Sequence, residues 1–201
     1  MTYIKEACVE GLQQAINAEI QGANRIELCS HLDLDGLTPD VSTIKEVKKQ
    51  LSIPIRVMIR PREGNFVYYD KELSLMKEQI NTCKEIGVEG VVFGVLNPDN
   101  RLNLEQIKML TQFAFPLKVV IHKAIDLTPN VYESFQELMN INGVSTVLTS
   151  GGKPTAESGK EILKEIVDLA EDKIEVLPAG KIDNQNIAKL HQYIGAKAYH
   201  G

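Results

Sequence analysis

Eight short apolar runs alternate with seven amphipathic segments along the chain, and this βα alternation predicts an α/β fold, a TIM-like (β/α)8 barrel. Two further observations favour the barrel over an open sheet. The even-numbered runs open alike, at Gly22-Ala23, Gly87-Val88, Gly143-Val144 and Gly195-Ala196, while the third and fifth share Ile53-Pro54-Ile55-Arg56-Val57 and Phe115-Pro116-Leu117-Lys118-Val119. Lys173-Ile174-Glu175-Val176 is a looser copy of that odd-numbered opening, so four double units are expected to close a ring. An open doubly wound sheet is the alternative, but no Gly-x-Gly-x-x-Gly follows the first strand.

The strands are expected at 4–10, 25–30, 53–60, 90–95, 117–124, 146–150, 174–180 and 196–200. The helices are expected at 11–21, 41–50, 70–86, 103–113, 131–140, 155–170 and 184–193. Asp40 or Ser42, Asp70 with Glu72, and Asp183 or Asn184 supply start signals. A glycine in a left-handed conformation can end a helix before each even-numbered strand. The eighth run is followed only by Gly201, so the barrel is lacking or modified at its eighth helix. The seam between the first and seventh helices would leave apolar surface bare. A second copy, in a homodimer, or a remodelled first helix is expected to cover it.

Composition narrows the function. A chain of 201 residues without a Pro-, Gly- or Ser-rich linker is expected to form a single domain, 1–201. Its net charge of -5 argues against nucleic acid or an anionic membrane as partner. The longest apolar stretches, such as 88–96, are too short to span a bilayer, and no basic and apolar leader opens the chain. A cytoplasmic location is therefore expected. Three widely spaced cysteines do not make a disulfide framework.

Chemistry concentrates in a doubled phrase. Glu6-Ala7-Cys8 lies in the first run and Glu27-Leu28-Cys29 in the second. Residues two apart on a strand share a face, so each glutamate points the same way as its cysteine. Were both strands to face inward side by side, two carboxylates and two thiols would converge. Cysteine also fills cores without further purpose.

The carboxyl ends of the strands carry the other candidates. Thr149-Ser150-Gly151-Gly152, ahead of a helix opening near Thr155, has the form of an anion cradle. Arg60 and Arg62 begin a long connection with three aromatics, a candidate lid. Asp126, four residues beyond His122, could orient it as base or ligand. Lys123 would face opposite to His122 on a continuing strand, away from the lumen. His200 closes the last strand with a less certain role, and His31, Cys83 and His191 read as surface or packing.

Seven segments, Glu6-Ala7-Cys8-Val9-Glu10, Arg25-Ile26-Glu27-Leu28-Cys29, Gly36-Leu37-Thr38-Pro39, Val57-Met58-Ile59-Arg60-Pro61-Arg62, Gly90-Val91-Val92-Phe93-Gly94, Leu148-Thr149-Ser150-Gly151-Gly152 and Tyr199-His200-Gly201, together resemble the CutC copper-homeostasis family, in a bacterial member. The resemblance implies a TIM-like barrel, a role in copper homeostasis, and Cu(I) held by Cys8 and Cys29. The family's three-glycine turn stands here as Pro178-Ala179-Gly180-Lys181-Ile182, which weakens an anion grip from that loop.

Two functions follow. Soft thiolates suit Cu(I), although alternate layering of barrel strands could offset the two sulfurs, and hard carboxylates suit Mg²⁺, Mn²⁺ or proton transfer instead. The alternative is therefore a metal-independent or divalent-metal lyase or isomerase. Its acid-base set would be Glu6, Glu27, Arg60, His122 and Asp126, with Ser150, Gly151 and Gly152 gripping a small anionic substrate.

Overall fold

The structure is a computed structural model that describes residues 3–201. Strands β1 (Ile4–Glu10), β2 (Arg25–Cys29), β3 (Ile55–Met58), β4 (Gly90–Phe93), β5 (Lys118–Ile121), β6 (Val144–Thr149), β7 (Glu175–Pro178) and β8 (Ala198–His200) are all parallel, in the order β7-β6-β5-β4-β3-β2-β1-β8. Helices α1 (Gly11–Ile20), α2 (Val41–Gln50), α3 (Asp70–Ile86), α4 (Leu104–Ala114), α5 (Val131–Met139), α6 (Lys160–Ala170) and α7 (Ile187–Ile194) lie between them. The result is a nearly closed eight-stranded barrel with one unsealed seam, where no ladder joins β7 to β8.

Alternation along each strand divides the core in two. Odd-facing residues such as Ile26, Val57, Val91 and Val119 pack outward against Val47, Met76, Ile107 and Phe135 of the helices. The other face lines the lumen, where the apolar contribution is one side chain from each strand, Cys8, Cys29, Met58, Val92, Val120, Leu148, Leu177 and Ala198. Gly87 and Gly195 end α3 and α7 in the left-handed conformation, with φ of 76° and 74°. A β-carbon would oppose that geometry.

Two local elements, β5 and α6, differ from the sequence expectation. β5 stops at Ile121 because His122 Nδ1 accepts the Ala124 N–H, turning the chain into a 3-10 turn at Lys123–Leu127. Lys123 is consequently exposed on the rim of the mouth, rather than facing away from it. α6 begins at Lys160 and not near Thr155, since Thr155 and Ser158 bond each other in a closed turn and Ala156 N–H is taken by the Gly180 carbonyl.

α1 packs over β1 and β2 beside α2, so the first helix is not remodelled. A separate gap in the helix layer, between α1 and α7, holds a cavity of about 290 Å³ whose wall mixes Ala7, Ala18, Ile187 and Tyr199 with the polar Lys5 and Asp183. No helix among the described residues is long and apolar enough to cross a membrane.

Candidate metal centre

The ladder pairs Cys8 with Glu27 and Glu10 with Cys29, which sets the two cysteines on a diagonal across neighbouring strands. Both side chains face the lumen, and their sulfurs are 3.9 Å apart. Glu27 Oε1 lies 3.4 Å from the Cys29 sulfur and 4.0 Å from that of Cys8. The doubled phrase therefore does converge. Cys29 is covered by the 31–37 loop, where Gly36 has φ of 82° and a β-carbon would meet the Cys29 sulfur at 3.2 Å. Glycine at this position lets the loop close over the thiol.

Beneath the sulfurs is a buried ionic plug. The Glu6 carboxylate accepts from Arg25 Nε, from Arg56 Nη1 at 3.2 Å, and pairs with His200 Nδ1 at 2.9 Å. Arg25 and Arg56 also engage Glu175, and Arg56 reaches Glu89, which Lys118 closes off at 2.8 Å. Burial opposes the charge on Glu6, but the His200 hydrogen bond and the His200, Arg25 and Arg56 charges hold its pKa down to about 2. Burial likewise opposes a charged His200, and is outweighed by its contacts with Cys8 and Glu6, so its pKa stands well above 6.5. The hydrogen bond from Cys29 lowers the Cys8 pKa to about 5 against burial, with His200 contributing further. That same bond and burial raise the pKa of Cys29. The two thiols are thus driven in opposite directions, Cys8 toward thiolate and Cys29 toward thiol. Glu27 differs from Glu6: burial, with the neighbouring Cys8 and Glu6 charges, outweighs the pull of His200 and pushes its pKa up to about 8.

Arg25, Arg56 and Glu175 belong to this site without having been singled out as site residues by any motif, and His200, a strand-end candidate of less certain role, stands at its centre. Parity could have found Arg25, two residues before Glu27 on the same face. His200 ended a strand, but its partner is 194 residues away.

Four expected site residues behave otherwise than expected. Glu6 does not face the mouth; it is 2% exposed and locked in the plug. Asp126 does not orient His122. Its carboxylate accepts from Thr149 and Ser150 hydroxyls and from the Ser150 and Gly152 amides. The Ser150-Gly151-Gly152 turn consequently cradles an anion that is the chain's own Asp126. Arg60 gives its terminal nitrogens to the carbonyls of Leu34, Gly36 and Gly64, pinning two loops. His122 is buried, and burial with the nearby Arg60 charge drives its pKa down to about 3.

Two overlapping groups have the spacing of a metal site: Cys8 with Glu27 and Cys29, and Glu6 with Glu27 and His200, the ligand atoms in each lying within 4.8 Å of one another. Only the first carries soft donors. Above them opens a cavity of about 580 Å³ that includes Cys8, Glu27, His122 and His200 in its wall.

An all-parallel eight-stranded barrel with thiols and carboxylates at the carboxyl ends of its strands is a TIM barrel carrying a polar site in its mouth. The QR15 aldolase, 13% identical, superposes with a TM-score of 0.71 over 98% of this chain and 89% of that one, which shows the fold. The sequence profile of the CutC family matches residues 3–201, and the chain belongs to that family. A copper homeostasis protein cutC homolog from Mus musculus is 37% identical over 198 residues, 98% of this chain and 72% of that protein. The family protein CutC of Mesorhizobium japonicum is 37% identical over 195 residues, 97% of this chain and 75% of the relative. A crystal structure of a CutC protein from Streptococcus agalactiae, 31% identical, matches with a TM-score of 0.94 over 100% of this chain and 98% of that one.

Proposed function

We propose that this protein handles copper by taking up one Cu(I) ion as cargo between Cys8 and Cys29. The sulfur pair carries the reading. Two thiolates at a typical metal–sulfur distance of about 2.3 Å can stand at most about 4.6 Å apart around one ion, and the sulfurs here are 3.9 Å apart. Thiolate is the soft donor that Cu(I) prefers.

Metal binding requires the thiols to shed protons, and the neighbours are arranged for that. Cys8 is already a thiolate near neutral pH, through the Cys29 hydrogen bond and the adjoining His200. The Cys29 thiol points to two acceptors, the Cys8 sulfur and Glu27 Oε1. A charged His200, anchored on Glu6, offsets the negative charge that grows when the second thiol ionises. Glu27 enters neutral and adds none.

Anaerobic titration with Cu(I) against a competing chelator tests the reading. One ion per chain is expected, with tight binding abolished by Cys8→Ser and by Cys29→Ser; binding that survives both substitutions would falsify it. We also propose that a second copy covers the gap between α1 and α7, supported by the cavity left open there, with Ala7, Ala18 and Ile187 in its wall. A dimer by multi-angle light scattering is expected, and a monodisperse monomer would rule this out.

A further inference from the structure

The mouth of the barrel holds polar atoms that copper uptake does not employ. His122 Nε2, Arg60 Nε and Glu27 Oε2 are buried without a hydrogen-bond partner among the described residues, and all three residues line the 580 Å³ cavity. Cavities of this size bind small organic molecules. Natural proteins rarely leave buried polar groups unpaired, and those left over mark places where something else supplies the partner.

The chemistry of the missing partner can be worked out. His122 Nδ1 accepts from the Ala124 N–H at 3.1 Å, so its lone pair is engaged and the hydrogen of the neutral ring lies on Nε2. The ring is held in that setting by β4, since a β-carbon at Gly94 would come within 2.7 Å of Cε1 and Nδ1. Arg60 spends both terminal nitrogens on carbonyls, and its Nε–H has no hydrogen-bond partner, although the equally unpartnered Tyr68 hydroxyl is a neighbour of its guanidinium. Both are donors, so the partner brings acceptors. Lys123 and Lys153 stand on the rim, where their charge favours an anion.

Two kinds of anion can be told apart here. A phosphate is usually met by a cluster of backbone amides at a glycine-rich turn, and the Ser150 and Gly152 amides are given to Asp126. Single N–H donors from two residues suit the paired oxygens of a carboxylate. Phe66 lies 4.8 Å from the His122 ring and 4.9 Å from the Arg60 guanidinium, and Met58 and Leu148 continue the apolar wall.

We propose that the barrel mouth binds a small monocarboxylate with an apolar tail, its oxygens accepting from His122 Nε2 and Arg60 Nε and its tail resting on Phe66 and Leu148. The site stands on its own donors and does not depend on Cu(I).

The test uses chelator-stripped protein with ¹⁵N-labelled histidine, titrated separately with butyrate, benzoate and inorganic phosphate. The His122 Nε2 resonance is expected to move saturably with a carboxylate while Nδ1 keeps the shift of an unprotonated nitrogen. His122→Phe, which keeps a ring and removes the donor, is expected to weaken carboxylate binding about ten- to a hundredfold, measured by calorimetry. Arg60→Lys is expected to do the same; should it unfold by losing its loop contacts, His122→Phe decides the matter. A His122 resonance unmoved by both carboxylates, carboxylate binding untouched by His122→Phe, or saturable binding of phosphate alone overturns the proposal. Loss of Cu(I) binding in the cysteine variants bears on the other reading only.

Discussion

Glu6→Gln probes the ionic plug under the metal centre. The Glu6 side chain is wholly buried and accepts from Arg25, Arg56 and His200. Glutamine keeps one acceptor oxygen but turns an NH₂ toward a donor and removes the charge, while Arg25 and Arg56 retain Glu175 and Glu89. Breaking a buried ion pair from one side typically costs about 3–5 kcal/mol. At roughly 2–4 °C per kcal/mol for a chain of this length, Tm should fall by about 6–20 °C. Urea and thermal unfolding at pH 7 in 0.1 M and 1 M NaCl provide the assay. Because the network is shielded from solvent, the loss should be the same at both salt concentrations. Glu89→Gln serves as the comparison, since Glu89 meets a half-exposed Lys118 at the barrel floor and its loss should be smaller and weaken in high salt. A Glu6→Gln loss below about 1 kcal/mol, or one that vanishes in 1 M NaCl, would refute the assignment of Glu6 as the centre of a buried network.

Two further predictions concern titrating groups. His122 has a folded pKa of about 3 against an ordinary 6.5, so the unfolded chain takes up this proton first as pH falls. Its contribution is nil above about pH 6.5, and stability is lost at about 1.4 kcal/mol per pH unit between there and pH 3. His122→Phe should flatten that part of the profile in urea titrations at several pH values, and equal slopes in the two proteins would contradict the buried neutral ring. Among the thiols, Cys8 should alkylate first, with a rate that levels off once pH passes about 6, one unit above its lowered pKa. Cys29 and Cys83 are buried, with pKa values pushed upward, and should stay protected until unfolding; mass mapping that finds Cys83 labelled before Cys8 would count against this order.

The barrel was legible in the sequence, and so was the shared face of each acid and thiol in the doubled phrase; that the two halves converge was decided by the closed sheet. A period of two put Cys8 with Glu6 and Cys29 with Glu27 on shared faces, and the repeated openings of seven of the eight runs favoured a ring over an open sheet, because such local rules involve only near neighbours in the chain. The same rules could not assign partners. Glu6 and Glu27 stand in equivalent phrases, yet their pKa values move in opposite directions, since Glu6 is ion-paired with Arg25, Arg56 and His200 once the ring closes while burial dominates at Glu27. Asp126 is four residues from His122 but binds the Ser150 turn, because a hydrogen bond within 122–124 diverts the strand before the two could face each other. Ring closure brings together residues from opposite ends of the chain, and with them come the charges and burial that decide which groups hold a proton; only the tertiary structure supplies that environment.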